Sequence, residues 1–161
     1  DMVQSYSADT KVNPPLRLTS DQEALIAGLC DGTIDAIATD HAPHHRDEKE
    51  VEYNSALSGI SGFETAFALC MDALVHAHHM TMEEFVQVAC TNPAKILGKN
   101  CGKLEVGRDA DFIIADIAKE WTVDRKEFVS KGKNTPFDGR TVHGRVLETY
   151  VGGKRIYKYE D

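Results

Sequence analysis

A carboxylate and two imidazoles fall close together in the segment Ala38-Thr39-Asp40-His41-Ala42-Pro43-His44. A carboxylate such as Asp40 can ligate a hard or borderline metal ion, and it can exchange a proton with water whose pKa a zinc ion lowers to roughly 7. One residue then serves as both ligand and base. Asp and His are also ordinary turn and helix-cap residues, so type and spacing alone leave both readings open.

The elements that must position these groups can be read outward from them. Residues 33–39 are short, β-branched and apolar on both faces through Ile34, Ala36, Ile37 and Ala38, which predicts a strand buried in a parallel sheet. Asp40 then lies at the strand's C-terminal end, the edge at which α/β barrels build active sites. Ahead of it, Pro14-Pro15 forbids helix and residues 1–18 read as a loop. Ser20 with Glu23 forms a capping-box pattern, Ala24, Leu25, Ile26, Leu29 and Cys30 follow at helical spacing, and Gly32 suits a left-handed C-cap, predicting a helix over 21–31.

Residues 40–62 form a long polar connection. Phe63, Ala66, Phe67, Cys70, Met71, Leu74 and Val75 then recur with helical period up to His78 and His79. Thr81 with Glu84 opens another helix, and Asn92-Pro93 restarts a short one that stops at Gly98. Beyond Asn100 the pattern turns to strands, over 111–115, 141–151 and 154–159, the last two joined by a Gly152-Gly153 hairpin turn. The expected organisation is an α/β part over 1–100 and a small β part over 101–161, without internal repeat.

Composition narrows the partners. With 18 basic against 26 acidic side chains the formal charge is -8, which repels phosphate backbones and anionic lipid, so neither nucleic acid nor a membrane is expected to bind. No apolar stretch approaches the roughly 20 residues that span a bilayer. The first residues carry neither the basic nor the apolar region of a secretory signal. Cys30, Cys70, Cys90 and Cys101 make no Cys-x-x-Cys pair, and reduced, buried thiols in a cytoplasmic protein are the expectation.

The string Thr39-Asp40-His41-Ala42-Pro43-His44 resembles the last metal-ligand motif of dihydroorotases, and Asn13-Pro14-Pro15-Leu16-Arg17 resembles their substrate loop. Gly59-Ile60-Ser61-Gly62-Phe63-Glu64-Thr65, Asn92 to Gly98, and Gly102 to Gly107 with Ala110-Asp111-Phe112 continue the likeness. Ser130-Lys131-Gly132-Lys133-Asn134-Thr135-Pro136-Phe137 is similar to a segment that separates dihydroorotases from hydantoinases and allantoinases. The resemblance implies the C-terminal part of a (β/α)8 metal-dependent hydrolase barrel followed by part of a flanking β-sandwich. It implies reversible hydrolysis of L-dihydroorotate to N-carbamoyl-L-aspartate, a step of pyrimidine biosynthesis, with two zinc ions. On it, Asp40 is metal ligand and proton carrier, His44 meets the substrate carboxylate, Asn13 meets the ring, and Ser58 and Gly59 offer backbone groups.

Two departures accompany this. Many relatives have proline before the Ser58-Gly59 pair, where this chain has Leu57, so a less rigid loop is expected. The remaining metal ligands of the family come from earlier strands, so the expectation is a fragment, inactive without the N-terminal half of the barrel, acting on a small molecule and compatible with a homo-oligomer. His76-Ala77-His78 does not replace those ligands, because i and i+2 on a helix diverge; with His79 they read as solvated helix-end residues. His41 reads as a packing or hydrogen-bonding residue beneath the site, Arg17 as a loop anchor or carboxylate binder, His143 as without a role, and residues 46–52 as an exposed loop or a lid. The competing functions are a hydantoinase or allantoinase type of cyclic amidohydrolase, and a non-catalytic assembly subunit.

Overall fold

A computed structural model describes residues 2–160. Short 3-10 turns at Met2–Ser5 and Ala8–Thr10 precede helix α1, Thr19–Asp31. The capping pattern is displaced from the expected one: the Asp21 carboxylate accepts from Leu18 N–H at 3.1 Å, so the helix begins before Ser20. Its end is as predicted, with Gly32 at φ 81°.

Residues 33–39 do not form the predicted strand. They have no ladder partner among the described residues; Ile37 N–H donates to Val88 O at 3.0 Å, Ile34, Ala36 and Ile37 are half-buried, and Ala38 is exposed. A strand is defined by its neighbours, and the described chain places only one pairing here, the parallel bridge between His41 and Ile60.

Helix α2, Arg46–Lys49, interrupts what was expected to be an exposed loop. Helix α3, Ala66–Cys70, continues as a π-helical turn over Met71–His76. Phe63 is left outside it because His41 Nδ1 accepts from the amides of Gly62 and Phe63 at 3.0 and 3.3 Å, while the two rings stack at 3.9 Å. Helix α4, Met82–Val86, opens with the predicted box: Thr81 Oγ1 accepts from Glu84 N–H and the Glu84 carboxylate accepts from Thr81 N–H. A π-turn over Gln87–Thr91 leads into α5, Asn92–Ile96.

Three antiparallel strands complete the chain in the order β1-β2-β3: β1, Phe112–Thr122, β2, Thr141–Val151, and β3, Lys154–Lys158. β1 runs well past the predicted end at Ala115. It does so across an irregularity between Asp116 and Glu120, where the Asp116 carboxylate accepts the amides of Ala118 and Lys119, masking the alternation that marks a strand.

The apolar core straddles helices and sheet. Met71, Leu74, Met80, Phe85 and Val88 form one cluster; Ala68, Val123, Phe128 and Val142 form the other. α3 feeds both. Gly144 on β2, at φ 96°, permits this approach, since a Cβ there would sit 3.0 Å from Met71 Cγ. The four cysteines are free, but Cys30 on α1, Cys90 on the Gln87–Thr91 turn and Cys101 in the connection after α5 are exposed rather than buried. No described helix is long and apolar enough to cross a membrane.

Candidate active site around Asp40 and His44

The 41–44 segment lies against residues 58–61. Ala42 N–H donates to Ile60 O at 2.8 Å, and the seam is closed from the far end of the sequence by Asn134, which is 5% exposed. Asn134 Oδ1 accepts from His44 N–H at 2.9 Å; its Nδ2 donates to Gly59 O at 2.9 Å and to Ala42 O at 3.2 Å. Its own carbonyl accepts from Ser61 N–H, and the fully buried Ser61 hydroxyl donates to Gly132 O. One amide side chain therefore bonds three main-chain groups of two loops, and two of them, His44 N–H and Ala42 O, have no other partner among the described residues.

His44 is held at both ends. Its Nε2 donates to Ser58 O at 3.0 Å, and its Nδ1 lies 3.6 Å from the Glu48 carboxylate. Gly59 sits beneath it at φ 141°, where a Cβ would fall 2.8 Å from His44 Nε2 and 2.7 Å from Ala42 Cβ, so only glycine lets the loop pass this close.

Lys49 secures the other side of that loop. It is 5% exposed, and its Nζ donates to Leu57 O at 2.9 Å and Gly59 O at 3.0 Å. Burial pushes its ammonium below the ordinary lysine range; Asp9 counters this and Lys11 adds to it. Leu57 N–H donates to Glu48 O at 3.2 Å, a bond that a proline at that position has no hydrogen to make. The loop expected to be less rigid for lack of proline is thus held by hydrogen bonds.

The predicted site residues are brought together unequally. His44, Ser58 and Gly59 are in mutual contact. Asn13 is exposed, two residues beyond Lys11, whose carbonyl accepts from Gly59 N–H at 2.9 Å and ties the double-proline loop to the site. The Asn13-Pro14 peptide is cis. Asp40 is exposed, at φ 44°, and makes no hydrogen bond or ion pair among the described residues. A left-handed backbone at a residue other than glycine costs on the order of 1 kcal/mol, and aspartate bears it better than most. Arg17 is exposed and likewise unpaired among the described residues, so it anchors no loop there.

His41 does what a packing residue does, accepting two amides and stacking on Phe63. His76, His78 and His79 are exposed as expected, but His76 also donates to Ile117 O at 2.9 Å. His143, expected to have no role, lies 3.0 Å from Asp72 and 3.4 Å from Glu120, joining α3's continuation to β1 and β2.

Asn134 and Lys49 are the residues that sequence reasoning missed. The first lies inside the Ser130-to-Phe137 segment, where nothing nearby in sequence points to its partners. The second stood in a run of charges that reads as solvated. No group of three or more His, Cys, Asp or Glu among the described residues gathers to hold a metal. Asp40 offers one oxygen donor, where tetrahedral zinc takes four ligands, so this set fits a metal only as one contributor among others.

Residues 6–156 match the amidohydrolase family. A dihydroorotase from Acetivibrio thermocellus is 50% identical over 155 residues, which are 96% of this chain and 36% of that protein. One from Thermoanaerobacter sp. is 51% identical over 158 residues, 98% of this chain and 36% of its own. Among solved structures, L-hydantoinase (dihydropyrimidinase) from Arthrobacter aurescens superposes with a TM-score of 0.91 at 32% identity, over 98% of this chain and 36% of that one. The chain thus spans about 36% of the length of the curated relatives it matches.

Proposed function

Because the chain belongs to the amidohydrolase family, we propose that it supplies the C-terminal part of a dihydroorotase, hydrolysing L-dihydroorotate reversibly to N-carbamoyl-L-aspartate in pyrimidine biosynthesis. The observation that carries this reading is the identity of about 50% to dihydroorotases across nearly the whole chain, against 32% to the L-hydantoinase whose fold it shares. The architecture we assign is the closing segment and helices of a (β/α)8 barrel over 1–100, in which residues 33–39 would find ladder partners only in the N-terminal portion, then part of a β-sandwich over 101–161. The rest of the barrel comes from the N-terminal portion that the longer relatives carry, in a cytoplasmic enzyme compatible with a homo-oligomer.

In this reading Asp40 contributes one oxygen to a zinc site whose other ligands lie outside this chain. Zinc, when bound, supplies Lewis acidity that brings water's pKa toward neutrality. The carboxylate of Asp40 takes the proton of the attacking water and returns it to the departing ring nitrogen. Its exposure, its lack of an internal partner and its left-handed backbone support this role, since none of them is explained by packing. Asn13 contacts the ring, and His44, whose Nε2 is committed to Ser58 O, meets the substrate carboxylate through Nδ1. Ser58 and Gly59 line the same edge. Of their four backbone polar groups, Ser58 O, Gly59 O and Gly59 N–H are engaged within the chain, and Ser58 N–H makes no hydrogen bond among the described residues. That amide is the group left to offer a substrate oxygen.

The second reading, a hydantoinase-type activity on a related cyclic amide, is favoured by the fold superposition. The test is to assay the full-length zinc-loaded enzyme on dihydroorotate and on hydantoin. The expected result is preference for dihydroorotate, with Asp40→Asn lowering kcat by about 100-fold or more. Preference for hydantoin, or an undiminished Asp40→Asn variant, overturns the proposal.

A further inference from the structure

We infer that Lys49 is a positioning residue for the substrate, acting through the 57–59 loop rather than by touching the substrate itself. The inference rests on the reading of Ser58 and Gly59 as substrate-binding. A buried ammonium is costly, and one that persists is compensated by the bonds it makes. The Lys49 bonds go to two carbonyls, Leu57 O and Gly59 O, which flank Ser58 on either side. Ser58 O is taken by His44 Nε2. Three successive carbonyls thus point at cationic or N–H donors within the chain, and the peptide planes that carry them are fixed.

The consequence falls on the one group left over. With the carbonyls of Leu57, Ser58 and Gly59 all held and Gly59 N–H committed to Lys11 O, the direction of Ser58 N–H is set by the Leu57-Ser58 peptide plane, whose oxygen Lys49 grips. Lys49 therefore aims that amide. Asn134 shares Gly59 O but does not reach Leu57 O, so no other side chain among the described residues holds this plane. Leu57 N–H donates to Glu48 O, so helix α2 grips both sides of Leu57. The charged run that carries Lys49 is then more than an exposed segment; through Glu48 and Lys49 it is the splint of the 57–59 loop.

Lys49 also lines a cavity of about 470 Å³, together with His44, Arg46, Arg125, Lys131 and Asn134. That opening lets a small amine reach the position of the ammonium when the lysine is shortened. In the full-length enzyme, Lys49→Ala is expected to raise KM for dihydroorotate about tenfold with kcat held within about threefold, the pattern of lost uniform binding. Added ethylammonium should lower KM again, and tetramethylammonium, which has no N–H to donate, should not. A folded Lys49→Ala enzyme with an unchanged KM, or equal effects of the two amines, overturns the inference. In the wild-type enzyme the Lys49 ammonium protons should exchange with water far more slowly than those of surface lysines, a measurement that does not depend on the variant folding; exchange at the surface rate also overturns it. Failure of wild-type turnover on dihydroorotate would count against the proposed function, and an unaltered KM in an active enzyme would count against Lys49 alone.

Discussion

Asn134→Ala removes the side chain that joins the 41–44 and 58–61 segments. The loss can be worked from its bonds. His44 N–H and Ala42 O would each lose a partner, while Gly59 O would keep Lys49. A hydrogen bond contributes about 1 kcal/mol net, and a buried group left without one costs about 1–3 kcal/mol, so the expected destabilisation is about 2–4 kcal/mol. Asn134→Asp separates acceptor from donor. It keeps an oxygen for His44 N–H but turns a carboxylate toward the carbonyls of Ala42 and Gly59, and it should destabilise at least as much as alanine. Urea denaturation of the variants gives the free energies, and amide hydrogen exchange at His44 reports the particular bond. An alanine variant within about 0.5 kcal/mol of wild type, with His44 exchange unaltered, would refute the view that this amide closes the seam.

Two further outcomes test the packing and the charges around it. Met71→Ala should cost about 2–5 kcal/mol in denaturant unfolding, because Met71 is fully buried beneath Gly144 at the junction of α3 and β2; a loss under about 1 kcal/mol would mean that helix and sheet are not packed there. Asp138 is held below the usual carboxylate range by the Arg125 backbone N–H, with the Arg125 guanidinium adding to it, so its contribution is present above an unfolded value of about 3.9 and is lost as pH falls through the lower folded value. Melting temperatures from pH 5 to 2 should show this as a small acid-side loss, at most about 1 kcal/mol for so exposed a pair, that Asp138→Asn abolishes; an identical acid slope in the variant would contradict it.

What the amino-acid order determined by itself is what acts over a few residues. The Thr81–Glu84 box, the left-handed Gly32, the restart at Asn92-Pro93 and the β2-β3 hairpin across Gly152-Gly153 each depend on groups at most one turn apart, and each appears where the pattern places it. The motif around Asp40 is likewise written in adjacent residues, and the role proposed for it rests on them.

Tertiary structure alone decided the remainder. The 33–39 segment has strand composition, yet pairing needs a neighbour, and composition does not supply one. Phe63 fits the helical period, but His41 captures its amide first. Asn134 meets His44 across 90 residues of sequence, and Lys49 turns from an apparently solvated charge into a buried donor only once the 57–59 loop folds over it. Side-chain type limits which bonds a residue can make; which of them it does make is set by the groups that folding brings within about 3 Å.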